Sequence, residues 1–271
     1  MVKEINEIRE RLKKENPIIH SITNPISINQ CANAIISIGA KPIMAEHPKE
    51  VEEITKTAGA LLLNLGNITD IRMESMKISS KTAHKNNIPF VLDAVGVACS
   101  KLRKDFAFDL IKNYSPAMIK GNYSEINALY YSDYTSKGVD TDLSLDTQNI
   151  AKISVKLAKK YNTIILASGK TDIITDGKRL VYIKNGTKQL GCVTGTGCML
   201  GALCASYLSV FQGIDAVITG SVVMGIAGEK AKTSKGNGTF MVNLMDNISI
   251  ISNEDIKNYI DMEEVKIEEF W

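Results

Sequence analysis

The densest concentration of groups able to do chemistry is the stretch Gly191-Cys-Val-Thr-Gly-Thr-Gly-Cys-Met-Leu-Gly201, which runs straight into an apolar segment over 202–211. Gly195 and Gly197 free the backbone to turn its N–H groups inward, and a helix starting there adds unpaired amides and the positive end of its dipole. Such a loop is a receptor for an anion. Gly195, Gly197 and Thr194 are placed to cradle it, and Thr196 offers a second hydroxyl. Two familiar phosphate loops do not fit. Leu200 stands where a G-x-G-x-x-G fingerprint needs its last glycine. Ile164 stands where a nucleotide loop ending in Gly169-Lys170-Thr171 needs its first. Cys198, at the helix mouth, has three readings: a nucleophile activated by the helix N-terminus, a weak base beside a substrate hydroxyl, or a packing residue.

A second group of residues sits where apolar runs end. Asp93 closes Val91-Leu92-Asp93, Lys120 closes the run from Ala117, and Ser168 follows the run over 163–167. Asn122-Tyr-Ser-Glu125 follows Lys120 closely. An amide and a carboxylate at this spacing can hold a hydrated Mg²⁺ with help from Asp93, or can simply cap a helix. Lys120 and Ser168 are each able to meet phosphate; a solvated lysine and a plain turn are the alternatives. Asn24-Pro25 marks a turn able to present polar groups to a ligand, and Met44 is a soft apolar side chain suited to a pocket wall or to the core. His20, His47 and His84 are too few and too separated for a metal triad and read as hydrogen-bonding or surface residues.

These residues need a scaffold that brings strand ends together. Charged periodicity with Ile5, Ile8 and Leu12 on one face predicts an opening helix over 1–16. Further helices are expected over 27–38 with Ser27 as cap, 48–58, 70–86, 106–114, 124–131 and 146–161. Continuous apolar runs over 60–65, 88–92, 117–120 and 163–167 read as strands covered on both faces, and 39–44 as a turn and short strand. The segment 172–183, with Asp176-Gly177 at its centre, reads as a hairpin, and helices over 197–211, 215–233 and 240–249 follow. A polar surface loop is expected over 132–144, and a solvated strand or tail over 263–269. Alternation at this spacing predicts an α/β fold in one domain over 1–271, a mostly parallel sheet flanked by helices. Ligands in such sheets bind beyond the carboxyl ends of the strands, where Asp93, Lys120 and Ser168 are expected.

Composition narrows the class. Thirty-two basic against 30 acidic residues give a net charge of +2 without a basic stripe, which argues against a nucleic-acid or membrane partner. The apolar runs are broken by Gln212, Asp215 and Glu229 before a membrane span accumulates. Five cysteines without metal-type spacing, and a charged N-terminus, point to a reducing, cytoplasmic setting. Cys31, Cys99 and Cys204 read as buried small hydrophobes.

Taken in order, His20-Ser-Ile-Thr-Asn24, Lys41-Pro-Ile-Met-Ala45, Leu63-Asn-Leu-Gly66, Asp93-Ala-Val-Gly96, Lys120-Gly-Asn122 through Glu125 and Val193-Thr-Gly-Thr-Gly-Cys-Met-Leu200 resemble the signatures of the hydroxyethylthiazole kinases, thiamin-salvage members of the ribokinase-like superfamily. The last segment is the most specific, because most of the superfamily carries aspartate where Cys198 stands. The resemblance implies ATP-dependent phosphorylation of the hydroxyl of 4-methyl-5-(2-hydroxyethyl)thiazole on a ribokinase-like fold. It implies Met44, Asn24 and Gly195 at the thiazole site, Lys120, Ser168, Thr194 and Gly197 at the ATP phosphates, and Asp93 and Glu125 ordering Mg²⁺. It also implies a homotrimer with sites at subunit interfaces. Lys120 stands where the family has arginine, and Ala94 where it has proline. A hydroxymethylpyrimidine kinase, a cysteine-nucleophile hydrolase and a non-catalytic thiazole sensor are the competing functions.

Overall fold

A nine-stranded sheet forms the spine of the molecule, seen in a computed structural model that describes residues 1–131 and 146–270. The first half of the chain runs α1 (Val2–Glu15), β1 (Ile18–Ile22), α2 (Ile28–Ser37), β2 (Lys41–Ile43), α3 (Val51–Thr57), β3 (Ala60–Asn64), α4 (Asp70–Lys85), β4 (Phe90–Asp93), α5 (Lys101–Tyr114), β5 (Met118–Asn122) and α6 (Tyr123–Tyr130). The second half runs α7 (Thr147–Tyr161), β6 (Ile164–Ser168), β7 (Asp172–Thr175), β8 (Arg179–Ile183), α8 (Thr196–Leu208), α9 (Ile214–Lys230), α10 (Asn237–Ile250), α11 (Asn253–Tyr259) and β9 (Met262–Lys266). The strand order is β2-β1-β3-β4-β5-β6-β7-β8-β9. Pairing is parallel from β2 to β6 and antiparallel from β6 to β9.

Side chains alternate between two cores, as strands buried on both faces require. Leu62, Val91, Met118 and Leu166 pack toward α1, α2, α8, α9 and α10. Leu61, Leu63, Phe90, Leu92, Ile119 and Ile165 pack against α4, α5, α6 and α7 on the other face. The parity decides which face the strand-end residues occupy. Asn64, Asp93 and Lys120 lie two residues beyond Leu62, Val91 and Met118, so they share the face covered by α8. Among the described residues no helix is long and apolar enough to cross a membrane.

The expected elements form with shifted ends and two additions. The strand β1 was hidden because His20 and Ser21 interrupt its apolar run. Both are buried, and the His20 ring is satisfied by Thr55 Oγ1 at 2.9 Å and the Ala45 carbonyl at 2.9 Å. Burial holds the His20 pKa below its ordinary value, so the ring stays neutral. The short α11 is the second addition. Ser100 starts α5 five residues earlier than the periodicity suggests, its Oγ accepting from Arg103 N. Ser27 occupies the N-cap of α2 but its hydroxyl does not cap; Asn24 Oδ1 accepts from Ser27 N instead. Cys31 and Cys204 are buried as expected, whereas Cys99 is exposed on the turn after β4. The segment 263–269 opens as β9, the antiparallel partner of β8. The loop expected over 132–144 lies outside the described residues.

Candidate active site

Register builds the floor of the site. Asn64 is paired with Asp93 across β3 and β4, and Asp93 with Lys120 across β4 and β5, so three polar side chains form one rung. All three are buried, Asn64 and Asp93 completely. Lys120 Nζ donates to Asp93 Oδ1 at 3.0 Å and Asn64 Nδ2 to Asp93 Oδ2 at 2.8 Å. Burial raises the Asp93 pKa, against the pull of the ammonium and the amide. Burial alone would lower Lys120, but Asp93, Cys198 and Glu125 together raise it above the usual lysine range, so it remains an ammonium.

The helix α8 lands on this rung. Gly201 faces the rung: a Cβ there would stand at ordinary contact distance, 3.4 Å from Asp93 Oδ2 and 3.5 Å from Leu62 Cδ1. The N-cap of α8 is Gly195 at φ +95°, a left-handed conformation that glycine adopts without strain, and no side chain caps the helix. Its first amides are therefore available to an anion. Thr196 does not add a hydroxyl to that cradle; its Oγ1 donates back to the Leu190 carbonyl at 2.8 Å. The Lys120 ammonium lies under the loop, 3.6 Å from where a Cβ on Gly197 would stand.

Floor and loop enclose a cleft of about 430 Å³ lined by Asn24, Lys120, Glu125, Ser168, residues 190–198 and a few neighbours, Ile26 among them. The expected residues Thr194, Gly195, Gly197 and Cys198 are therefore brought together with Asn24, Lys120, Ser168 and Glu125. Two are not. Met44 is half-buried against the α8-side core and does not line the cleft. Asp93 lies beneath Lys120, its oxygens taken by Lys120 and Asn64, and it too is absent from the lining.

Glu125 caps its helix and also lines the cleft. Asn122 and Glu125 form a reciprocal capping box, with Glu125 N on Asn122 Oδ1 at 2.9 Å and Asn122 N on Glu125 Oε2 at 2.7 Å. Glu125 Oε1 also accepts from Gly96 N at 2.7 Å, fixing the turn after β4. Yet the carboxylate also faces the cleft. Burial pushes its pKa up to about 7, partly opposed by Lys120 and the two backbone donors.

Cys198 Sγ accepts one N–H from Asn24 Nδ2 and one from Asn64 Nδ2, each at 3.3 Å. No histidine joins it, and His20 is committed to Thr55 and Ala45. A Cys–His nucleophile pair is thus missing, which removes the hydrolase reading.

The sequence model of the hydroxyethylthiazole kinase family matches residues 9–254. This chain belongs to the hydroxyethylthiazole kinase family. A hydroxyethylthiazole kinase 2 of Clostridium botulinum is 48% identical over 257 residues, covering 92% of this chain and 96% of that protein. The hydroxyethylthiazole kinase of Finegoldia magna is 44% identical over 266 residues, covering 98% of each. The solved structure of a hydroxyethylthiazole kinase protein from Pyrococcus horikoshii OT3 superposes with a TM-score of 0.89 at 32% identity, over 97% of this chain and all of that one. A pyridoxal kinase from Staphylococcus aureus, solved with ADP, shares the fold at a TM-score of 0.65 and 13% identity. The fold is ribokinase-like.

Asn64 is the polar residue of this floor that residue-type reasoning passed over. It ends an apolar strand, and only the pairing of β3 with β4 shows that it meets Asp93.

Proposed function

We propose that the protein transfers the γ-phosphoryl group of ATP to the hydroxyl of 4-methyl-5-(2-hydroxyethyl)thiazole, in thiamin salvage. The observation that carries this reading is the uncapped N-terminus of α8 opening over a buried ammonium, with Cys198 beside it, in a chain of this family. The bond formed joins the alcohol oxygen to the γ-phosphorus. The bond broken joins that phosphorus to the β–γ bridging oxygen, which leaves with ADP, and the alcohol proton ends on solvent. A loose transition state asks for positioning and charge neutralisation more than for a base. The Gly195–Cys198 amides and Lys120 neutralise charge, Thr194, Gly197 and Ser168 border the phosphates, and Asn24 and Gly195 border the alcohol.

The donor set suits a cation that arrives with the nucleotide. Glu125 offers one carboxylate to the cleft, and among the described residues no group of three His, Cys, Asp or Glu side chains gathers into a metal cage. Mg²⁺ is typically held by one or two carboxylates plus substrate phosphates and water. Glu125 would hold it, with Asp93 acting from behind Lys120, and it would supply neutralisation of phosphate charge. We further propose a cytoplasmic homotrimer with sites at subunit interfaces. The free state of all five cysteines and the exposed Ile26 on the cleft rim support these two points. Met44, outside the cleft of a single chain, would join the thiazole site in such an assembly.

The test is mass spectrometry after incubation with Mg-ATP and equal amounts of the thiazole and the hydroxymethylpyrimidine alcohols. Thiazole phosphate alone is the expected product. Pyrimidine phosphate would overturn the substrate, and thiazole binding without either product would make the protein a sensor.

A further inference from the structure

Asn64 links Asp93, Cys198 and Asn24 beneath the cleft. Its Oδ1 accepts from Gly66 N at 2.8 Å and from Asn24 Nδ2 at 3.0 Å. Its Nδ2 donates to Asp93 Oδ2 and to Cys198 Sγ. An amide has two donor hydrogens and an oxygen with two lone pairs, so Asn64 is fully used. The Gly66 amide on one side and the Asp93 carboxylate on the other fix which way the side chain faces. Asn24 is held the same way: Oδ1 accepts from Ser27 N, while Nδ2 serves Asn64 and Cys198. Gly66 makes the junction possible, since a Cβ there would stand 2.8 Å from Asn64 Oδ1 and 3.0 Å from Asn24 Nδ2.

The sulfur therefore receives two N–H groups from beneath. A neutral thiol has two lone pairs and one hydrogen, and these donors occupy the lone pairs. We propose that Asn64 is a positioning residue for phosphoryl transfer: with Asn24 it turns the lone pairs of Cys198 into the protein and leaves its S–H to meet the acceptor alcohol. The inference rests on the kinase reading above and deepens it. Cys198 then holds the alcohol oxygen in line without taking its proton, which ends on solvent as before. Through Asp93, the same amide ties the sulfur's placement to Lys120, the ammonium under the phosphate loop.

A double-mutant cycle tests this. Asn64→Ala is expected to lower kcat about 10-fold in the protein that keeps Cys198, and less than about 2-fold in the Cys198→Ala background, because the group being positioned is gone. KM for ATP is expected to stay within about 2-fold in both. Equal losses of kcat in the two backgrounds would make Asn64 structural support only and overturn the proposal. If Asn64→Ala fails to fold, Gly66→Ala wedges the two amides apart, a Cβ there standing 2.8 Å from Asn64 Oδ1, and must show the same collapse of effect without Cys198. A second readout needs no turnover. Losing an N–H donor changes how the sulfur is held, so the rate of Cys198 alkylation by iodoacetamide should change by about 3-fold in Asn64→Ala, with Cys192 in the same molecule unchanged. Unchanged Cys198 alkylation would also overturn the proposal. Should the wild type phosphorylate neither alcohol, the kinase reading falls, and the alkylation ratio still decides whether Asn64 controls the sulfur.

Discussion

The floor and the rim of the cleft follow opposite rules. The floor is a rung of side chains, Asn64, Asp93 and Lys120, set by strand register and closed to water. Every one of them is answered by a partner. The rim over 191–198 is backbone, partly exposed, with helix amides that no side chain caps. One region is finished before a ligand arrives, and the other is completed by the ligand. Preorganised charge below and unpaired donors above are what an enzyme of phosphoryl transfer needs, because the cost of arranging them is met on folding.

The contrast can be broken hardest at the floor. Lys120→Ala strands the Asp93 carboxylate, and unpartnered buried charges of this kind cost about 3–5 kcal/mol. Urea unfolding should show that loss, together with loss of turnover; a variant as stable as the wild type would mean that Asp93 is not held by this pair. Glu125 comes next. Its folded pKa of about 7 lies above the ordinary 4.5, so the folded protein binds more protons between those values. Its contribution to stability is thus fully present below pH 4.5 and lost as pH rises through 7, by up to about 3 kcal/mol. Glu125→Gln should flatten that segment of the stability–pH curve, and it should raise the Mg²⁺ concentration needed for activity. The two slopes measured by chemical denaturation at several pH values settle the sign.

At the junction of floor and rim, Cys198→Ala should slow turnover by about 10- to 100-fold without abolishing it, below the full worth of a general base. Cys198→Asp should keep or raise activity, since a carboxylate accepts the two amide N–H groups well. A folded, ligand-binding Cys198→Ala protein with no activity would make the thiol essential. The rim gives the smallest effects. Gly195→Ala forces a side chain into φ +95° and 3.1 Å from Ser27 Cβ, with a loss of about 1 kcal/mol and weaker ATP binding. Gly191→Ala meets nothing within 4 Å and should stay within about 0.5 kcal/mol of wild type. Calorimetric titration of both variants separates conformational need from mere composition.

The same contrast explains what could be read in advance. The rim is legible because glycine spacing and the onset of an apolar helix are local signals, and the resemblance was strongest there. Asp93, Lys120 and Ser168 were legible as strand ends. That Asp93 faces Lys120 rather than open water was not, because pairing across β4 and β5 is a property of register. Asn64 was masked by the apolar run before it, and β1 by the buried polar residues His20 and Ser21, of which His20 finds its partners in α3 and the loop after β2. Buried polar residues look like loops in a single sequence until their distant partners are known. Glu125 shows the limit of a choice between capping and function: one carboxylate caps α6, pins the Gly96 turn and faces the cleft.

The two margins of the sheet also carry a consequence for the protein in a crowded cell. An open nine-stranded sheet offers two unpaired edges, the usual starting points for intermolecular strand addition. At one margin the strand β2 is three residues long and contains Pro42, which has no N–H to give. At the other, β9 carries Glu263 and Glu264, paired across to Lys184 and Arg179. Both margins are thereby poor templates for another chain's backbone, so this fold limits its own aggregation without a barrel to close it.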